Sequence, residues 1–391
     1  MIVWCFIMSE INNENLESPQ SAKRVEISEK KRIRFEWLDQ FRGIVIILFI
    51  VQTFAYAFSM SPGSGIAPIL PPMVNHGYKY VNYPGMPDII TLVDIGQQIF
   101  IFLVGFMQAF TVMKRFQKTD SKGRILIHIL FRAVLVWLLA VLHVFIADGF
   151  SAWRSMVYGG TLANIAWAGL AAGLVALLVK KGDHRFWIGF GLMICTTIVW
   201  FMIDPMEPYV PLFSVDFLEE ILPTLGHIEI GIIASATAGW IFSPDGSVNE
   251  NNWKRRILPL ALAFMVLSYL SWFIQWTDHH KVNMSLSTMA IGFSSLMIFT
   301  FYKMEQVGFR APILTPLGKN MLLVFLLSMV VNELVYMEMI LIPFGLIGNS
   351  IWYGPILDML LAGVIPTLLM WALVWPLHRF NIILKLSWPT R

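Results

Sequence analysis

Charge and cysteine are both scarce in this sequence. Cys5 and Cys195 are the only two cysteines among 391 residues. That excludes a disulfide-stapled scaffold and a cysteine-rich metal centre. Charged residues make up 14% of the chain, against about 25% in an ordinary soluble domain. The shortfall excludes a soluble globular enzyme. The net charge is +3, but the basic residues are confined to particular loops, so nucleic acid is not an expected partner. No phosphate-binding loop, zinc signature, nucleophile elbow or dinucleotide fingerprint occurs, and no metal is expected. Internal repeats and low-complexity segments are absent too. The opening "MIVWCFI" is too short, and lacks the basic lead, for a signal-peptide core.

Apolar sequence fills the space left by charge. Hydrophobic residues reach 57%, with 15 Trp and 29 Phe, and the mean hydropathy is +0.67. Stretches of roughly 20 apolar residues predict an all-α, polytopic membrane helix bundle of about ten transmembrane helices. Their approximate limits are 40–60, 91–113, 125–147, 160–179, 186–203, 221–243, 257–276, 285–303, 314–337 and 355–377. The segment 336–354, broken by Pro343 and Gly345, is too short to span and is compatible with a re-entrant turn. Alternate loops carry the basic residues: Lys23 to Arg34, Lys114 to Arg124, Lys180 to Arg185, Lys254 to Arg256, Lys303 and Arg310, then Arg379. The loops between them hold only Lys79, Arg154 and Lys281. This asymmetry predicts that both termini are cytoplasmic. Residues 1–33 read as a disordered cytoplasmic tail, and 34–391 as one membrane domain with a long outer loop, 61–90. A bacterial cytoplasmic membrane is the expected location.

Ionisable groups inside apolar spans are costly, so each is a candidate site. Asp94, Gln97 and Gln98 share one helix face at the outer end of the second span. Arg132 lies a third of the way into the third span, where it either snorkels to the interface or faces inward and binds an anion. "DFLEEILPTLGHIEIG" places His227 and Glu229 within the sixth span. Two residues apart, they point to different faces of the helix. Asn164 reads as an interhelical hydrogen bond. On the cytoplasmic side, Lys319 and Asn320 open the ninth span. With Arg42 and Arg132 they offer a basic vestibule for a phosphate-bearing ligand.

Several segments resemble the transmembrane acyltransferases, specifically the heparan-α-glucosaminide N-acetyltransferase-like branch. "RFEWLDQFRGIVIILFIV" is similar to that branch's first-helix signature, an Asp-x-x-Arg-Gly ahead of an apolar run. "TLVDIGQQIFIFLVGFMQAF", "GGTLANIAWAGL", "EEILPTLGHIEIG", "PLGKNMLLVFLL" and "HRFNIILKL" resemble later segments of the family in the same order, from about residue 34 to the end.

The resemblance implies an acyl-CoA donor, typically acetyl-CoA, on the cytoplasmic side, and transfer of its acyl group to an extracytoplasmic sugar or related small acceptor. It implies a donor site at Asp39, Arg42, Arg132, Lys319 and Asn320. It also implies a histidine about ten residues before Asp94, where this chain has Pro84. His76 is the histidine available in the same loop, and Asn164 stands where the family carries arginine. Catalysis is therefore expected either from His76 with Asp94, or from a centre rewired around His227 and Glu229. An inactive relative serving as a binding or assembly subunit is the alternative, and a transporter is a third reading. The expected partners are acyl-CoA, the acceptor and the lipid bilayer. Homo-oligomerisation is left open.

Overall fold

The computed structural model describes residues 35–59, 95–118, 121–148, 156–157, 160–203, 216–243, 247–274, 277, 281–332, 360–380 and 382. The chain divides into a unit Met1–Phe35 and a unit Glu36–Arg391, and every described helix belongs to the second. The helices are α1 (Glu36–Ser59), α2 (Gly96–Lys118), α3 (Lys122–Asp148), α4 (Thr161–Leu178), α5 (Gly182–Ile203), α6 (Asp216–Ile241), α7 (Leu258–Trp272), α8 (Met284–Gln306), α9 (Leu314–Lys319), α10 (Met321–Val331) and α11 (Ile365–Arg379). π-helical turns at Trp253–Ile257 and Leu360–Val364 lead into α7 and α11. Among the described residues there is no β-strand, only an isolated bridge between Phe242 and Val248. The tail 1–33, the loop 61–90 and the segment 336–354 lie outside the described residues.

Among the described residues, seven helices are long and apolar enough to cross a membrane. They are α2 to α6, the stretch Glu250–Trp272 containing α7, and α8. The helix α1 has a comparable length, 24 residues. The run expected to span at 314–337 is interrupted: α9 ends at Lys319 and α10 begins at Met321. Asn320, at φ −115° and ψ 34°, leaves the helical conformation. Its side-chain amide donates to the Ile382 carbonyl at 3.3 Å, a bond to a distant segment that a continuous helix would not need.

The bundle has an inner and an outer layer. In α6, 78% of the apolar window is buried, against 28% in α3, α5 and the α7 stretch. The outward stripe of α3 is Ile127, Leu130, Val134, Leu138, Leu142 and Phe145, spaced by three and four as one helix face requires. α5 and α7 present similar stripes, with Ile194 and Ile198 on the first and Val266 and Tyr269 on the second. Apolar stripes of this length are not stable against water. The protein is therefore membrane-embedded, with lipid covering the outer layer.

Small residues let the inner helices approach closely. A Cβ on Gly105 of α2 would lie 2.3 Å from the Gly231 carbonyl oxygen of α6, and one on Gly231 would lie 3.0 Å from the Ala168 carbonyl oxygen of α4. Lipid tails give helices no hydrophobic reason to associate, so such backbone proximity supplies the packing. α2 and α6 run in the same direction, since Gly105 meets Gly231 while Phe110, farther along, meets Phe242 at 4.3 Å between ring centroids. α1 runs oppositely to α2: Trp37 is 6.3 Å from Phe106, while Phe49 and Phe100 both pack on Phe325. The start of α1 is anchored by Trp37, which is enclosed by Phe106, Phe242, Trp253 and Tyr302. Its backbone N–H donates to the Glu305 carboxylate at 3.1 Å.

Candidate functional site

The α1 signature and the start of α9 are one structure. A Cβ on Gly318 would lie 1.8 Å from the Asp39 carbonyl oxygen, and a Cβ on Gly43 would lie 2.2 Å from the Leu314 carbonyl oxygen. Only glycine fits at either position, so α1 and α9 touch through their backbones. The Ala311 N–H, just before α9, donates to Gln40 Oε1 at 3.4 Å. This contact fixes Asp39 and Arg42. Asp39 is buried, and Arg42 Nη1 donates to its Oδ1 at 3.2 Å. Asp39 therefore orients the guanidinium as well as offsetting its charge. Lys319 lies at the end of the same short helix, α9.

Arg132 joins this region from α3. Its Nη1 donates to Gln108 Oε1 of α2 at 3.3 Å, so the guanidinium turns into the bundle and does not reach for the interface. Gln108 is buried and wedged against Gly173 of α4, where a Cβ would sit 3.0 Å from the amide. Arg132 is within electrostatic range of Arg42. One turn back along α3, the buried His128 has its Nδ1 3.2 Å from Arg115 Nη2, a bond in which only the arginine can donate. Arg42, Arg115 and Arg132 thus lie at one end of the bundle, and Asp39 pairs with Arg42. An arginine has five N–H donors. Arg132 uses one of them on a neutral amide, and no carboxylate pairs with it among the described residues.

A second polar cluster lies on the other side of the Gly105–Gly231 crossing. Glu229 of α6 is buried, with its Oε2 2.8 Å from Thr196 Oγ1 of α5. The Ser287 hydroxyl of α8 is within electrostatic reach of this carboxyl group and donates to the Val282 carbonyl at 3.4 Å. No cationic side chain pairs with Glu229 among the described residues. Gln108 is three residues beyond Gly105, and Glu229 is two before Gly231. With a 1.5 Å rise per residue, the two clusters are about 7–8 Å apart along the bundle axis. His227 does not join Glu229. Its ring is buried, and neither nitrogen has a hydrogen-bond partner among the described residues. Asn164 is committed elsewhere: its Oδ1 accepts from Thr224 Oγ1 at 2.9 Å, joining α4 to α6.

The structure pairs Asp39 with Arg42 and places Arg132 within electrostatic range of Arg42, with Lys319 on the short helix that packs against α1. Asn320 sends its amide to the Ile382 carbonyl. His76 and Asp94, the residues expected at the outer site, lie outside the described residues, as does Pro84. Sequence reasoning missed Gln108, His128, Arg115, Thr196 and Ser287. Gln108 carried a signal, as an amide deep in an apolar span. Arg115 merged with the basic loop beside it. Thr196 and Ser287 are indistinguishable in sequence from the many hydroxyls that bond only to their own helix. Neither the known family models nor the curated proteins yield a match to this chain.

Proposed function

We propose that this protein is an integral-membrane acyltransferase. In this reading it takes an acyl group, most simply acetyl, from acyl-CoA at the cytoplasmic face and delivers it to an extracytoplasmic sugar or related acceptor. The frame is a ten-span bundle with both termini in the cytoplasm, set in a bacterial cytoplasmic membrane. The observation that carries the reading is Arg132: an arginine drawn into the bundle, held by one neutral amide and within electrostatic range of Arg42. Such a pair suits the diphosphate of a coenzyme A, because guanidinium groups bind phosphate oxygens through paired N–H donors. Asp39 and Gln108 hold the two forks in place before the donor arrives, which lowers the ordering cost of binding. His76 is the proposed general base and Asp94 orients it or the acceptor. A positioned base contributes about 10²–10⁴-fold to such a step.

One observation favours a non-catalytic relative. Asn164, where the resembling family has arginine, is satisfied by Thr224 within the bundle and offers no charge to an acceptor site. Purified protein in proteoliposomes, given acetyl-labelled acetyl-CoA outside and simple amino sugars inside, separates the two. Acetylated sugar in the lumen, lost in His76→Ala while acetyl-CoA binding persists, supports the transferase. Acetyl-CoA binding with no product on any acceptor supports the non-catalytic reading.

A further inference from the structure

We propose that the edge where α5 and α7 begin binds the headgroup of an anionic phospholipid, with Arg255 as the principal phosphate ligand and Lys181 and Lys254 beside it. The partner is a component of the bilayer, recognised by its net negative charge. Neither acyl transfer nor the direction in which the chain crosses the membrane enters the argument.

A paired scaffold fixes this edge. Arg256, in the π-helical turn before α7, forms an ion pair with Asp183 in the first turn of α5. The Trp240 indole N–H donates to the same carboxylate at 2.7 Å, and the Arg256 guanidinium lies over the Trp240 ring, 5.5 Å from its centroid. Farther along, Phe186 and Phe190 pack on Phe264, with ring centroids 6.1 and 6.3 Å apart. Asp183 is therefore committed to Arg256, and Glu250 accepts from the Tyr302 hydroxyl at 3.0 Å. Lys180, Lys181, Lys254 and Arg255 are exposed, and among the described residues no hydrogen bond or ion pair engages them.

The direction of Arg255 carries the inference. Trp253 and Ile257 are buried, at 1% and 0% exposure, and residues four apart share one side of a helical turn. Arg255 lies midway between them in sequence and so points away from the bundle. Leu262, Val266 and Tyr269 continue that outward side along α7. α5 offers a matching surface. Trp187 is 65% exposed, as an indole at headgroup level is. A Cβ on Gly191, one turn deeper, would meet nothing within 4 Å. The lipid-facing surface thus has a notch beneath an exposed indole, with free cations at the end of the bundle above both. A molecule with an anionic head and an apolar chain fits this order, whereas a soluble anion would leave the apolar part unfilled. Basic side chains at the bilayer surface attract anionic lipid. Setting topology needs only a basic loop; it does not need Arg255 turned toward lipid while Arg256 is already matched by Asp183.

Native mass spectrometry of the full-length protein in detergent tests this, titrating phosphatidylglycerol and phosphatidylcholine of identical acyl chains. The wild type should bind its first phosphatidylglycerol roughly tenfold more tightly than its first phosphatidylcholine, the scale of one or two basic side chains at an anionic lipid. A variant combining Lys181→Gln, Lys254→Gln and Arg255→Gln should lose most of that preference. It should unfold at the wild-type temperature, because all three side chains are exposed. Soluble glycerol phosphate, which carries the charge without the chains, should not displace the bound lipid. Equal affinity of the wild type for the two lipids, a preference that survives in the triple variant, or displacement by glycerol phosphate would overturn the site. None of these readouts depends on acetyl transfer, so a failed transferase reading leaves them unaffected.

Discussion

Arg132 and Arg185 are both drawn into the bundle, and they do opposite things. Arg185, near the start of α5, uses its donors on backbone carbonyls. Its Nε donates to Val179 at 2.6 Å, Nη1 to Ser235 at 3.1 Å, and Nη2 to Ala176 at 3.2 Å and Lys180 at 3.3 Å. The guanidinium caps the last carbonyls of α4, which have no helical partner, and ties them to α6. Arg132 has one bond, to the Gln108 amide, among the described residues. The difference teaches how to read an intramembrane arginine. Position inside the bundle does not separate a structural clamp from the proposed ligand site, whereas the number of donors already engaged does.

Removing Arg185 should have the largest effect. Arg185→Ala leaves four carbonyl oxygens without their donor, and we expect a loss of about 3–5 kcal/mol in stability, a range reached by breaking buried charged networks. Arg185→Lys, with three donors, should fall between the variant and the wild type. Unfolding temperature in nanodiscs reads both. Acetyl-CoA affinity of the fraction that remains folded should be unchanged.

Gly318→Ala comes next. Its Cβ would overlap the Asp39 carbonyl at 1.8 Å, and forcing α9 away from α1 should cost about 1–3 kcal/mol, the usual cost of overpacking. Because the same contact positions Arg42, this variant should lose stability and acyl-CoA affinity together. A loss of stability alone would separate the α1–α9 contact from the donor site.

The sequence showed this region only in fragments. Its low charge and apolar runs were enough for an all-helical membrane protein, since both follow directly from hydropathy. Asp39-Gln40-Phe41-Arg42-Gly43 and Gly318-Lys319-Asn320 were visible as two motifs. That Gly43 and Gly318 are the paired surfaces of one backbone contact was not visible, because helix adjacency depends on packing between segments far apart in the chain. The break at Asn320 was hidden for the same reason, since its amide answers to the Ile382 carbonyl. Arg185 counted as one more basic residue of a cytoplasmic loop, which its sequence position justified and its side-chain direction does not. Gln108 passed unnoticed inside an apolar stretch, although it decides where Arg132 points.

A smaller effect is expected where α4 meets α6. A double-mutant cycle with Asn164→Ala and Thr224→Val should return a coupling of about 0.5–1.5 kcal/mol in unfolding free energy, the usual range for one neutral hydrogen bond. A coupling near zero would mean that the bond does not hold these two helices together.

Arg132→Ala should change stability least, by about 1 kcal/mol or less, since it removes one bond to a neutral amide. Its effect should instead appear in binding. Calorimetric titration of acetyl-CoA into wild-type and Arg132→Ala protein in nanodiscs is therefore the most direct measurement. A charge-assisted phosphate contact is worth about 1.5–3 kcal/mol, so the variant should bind some 10- to 150-fold more weakly while unfolding at nearly the wild-type temperature. Equal affinity in the two proteins, or no acetyl-CoA binding by the wild type, would contradict the assignment of this basic cluster to an acyl-CoA donor.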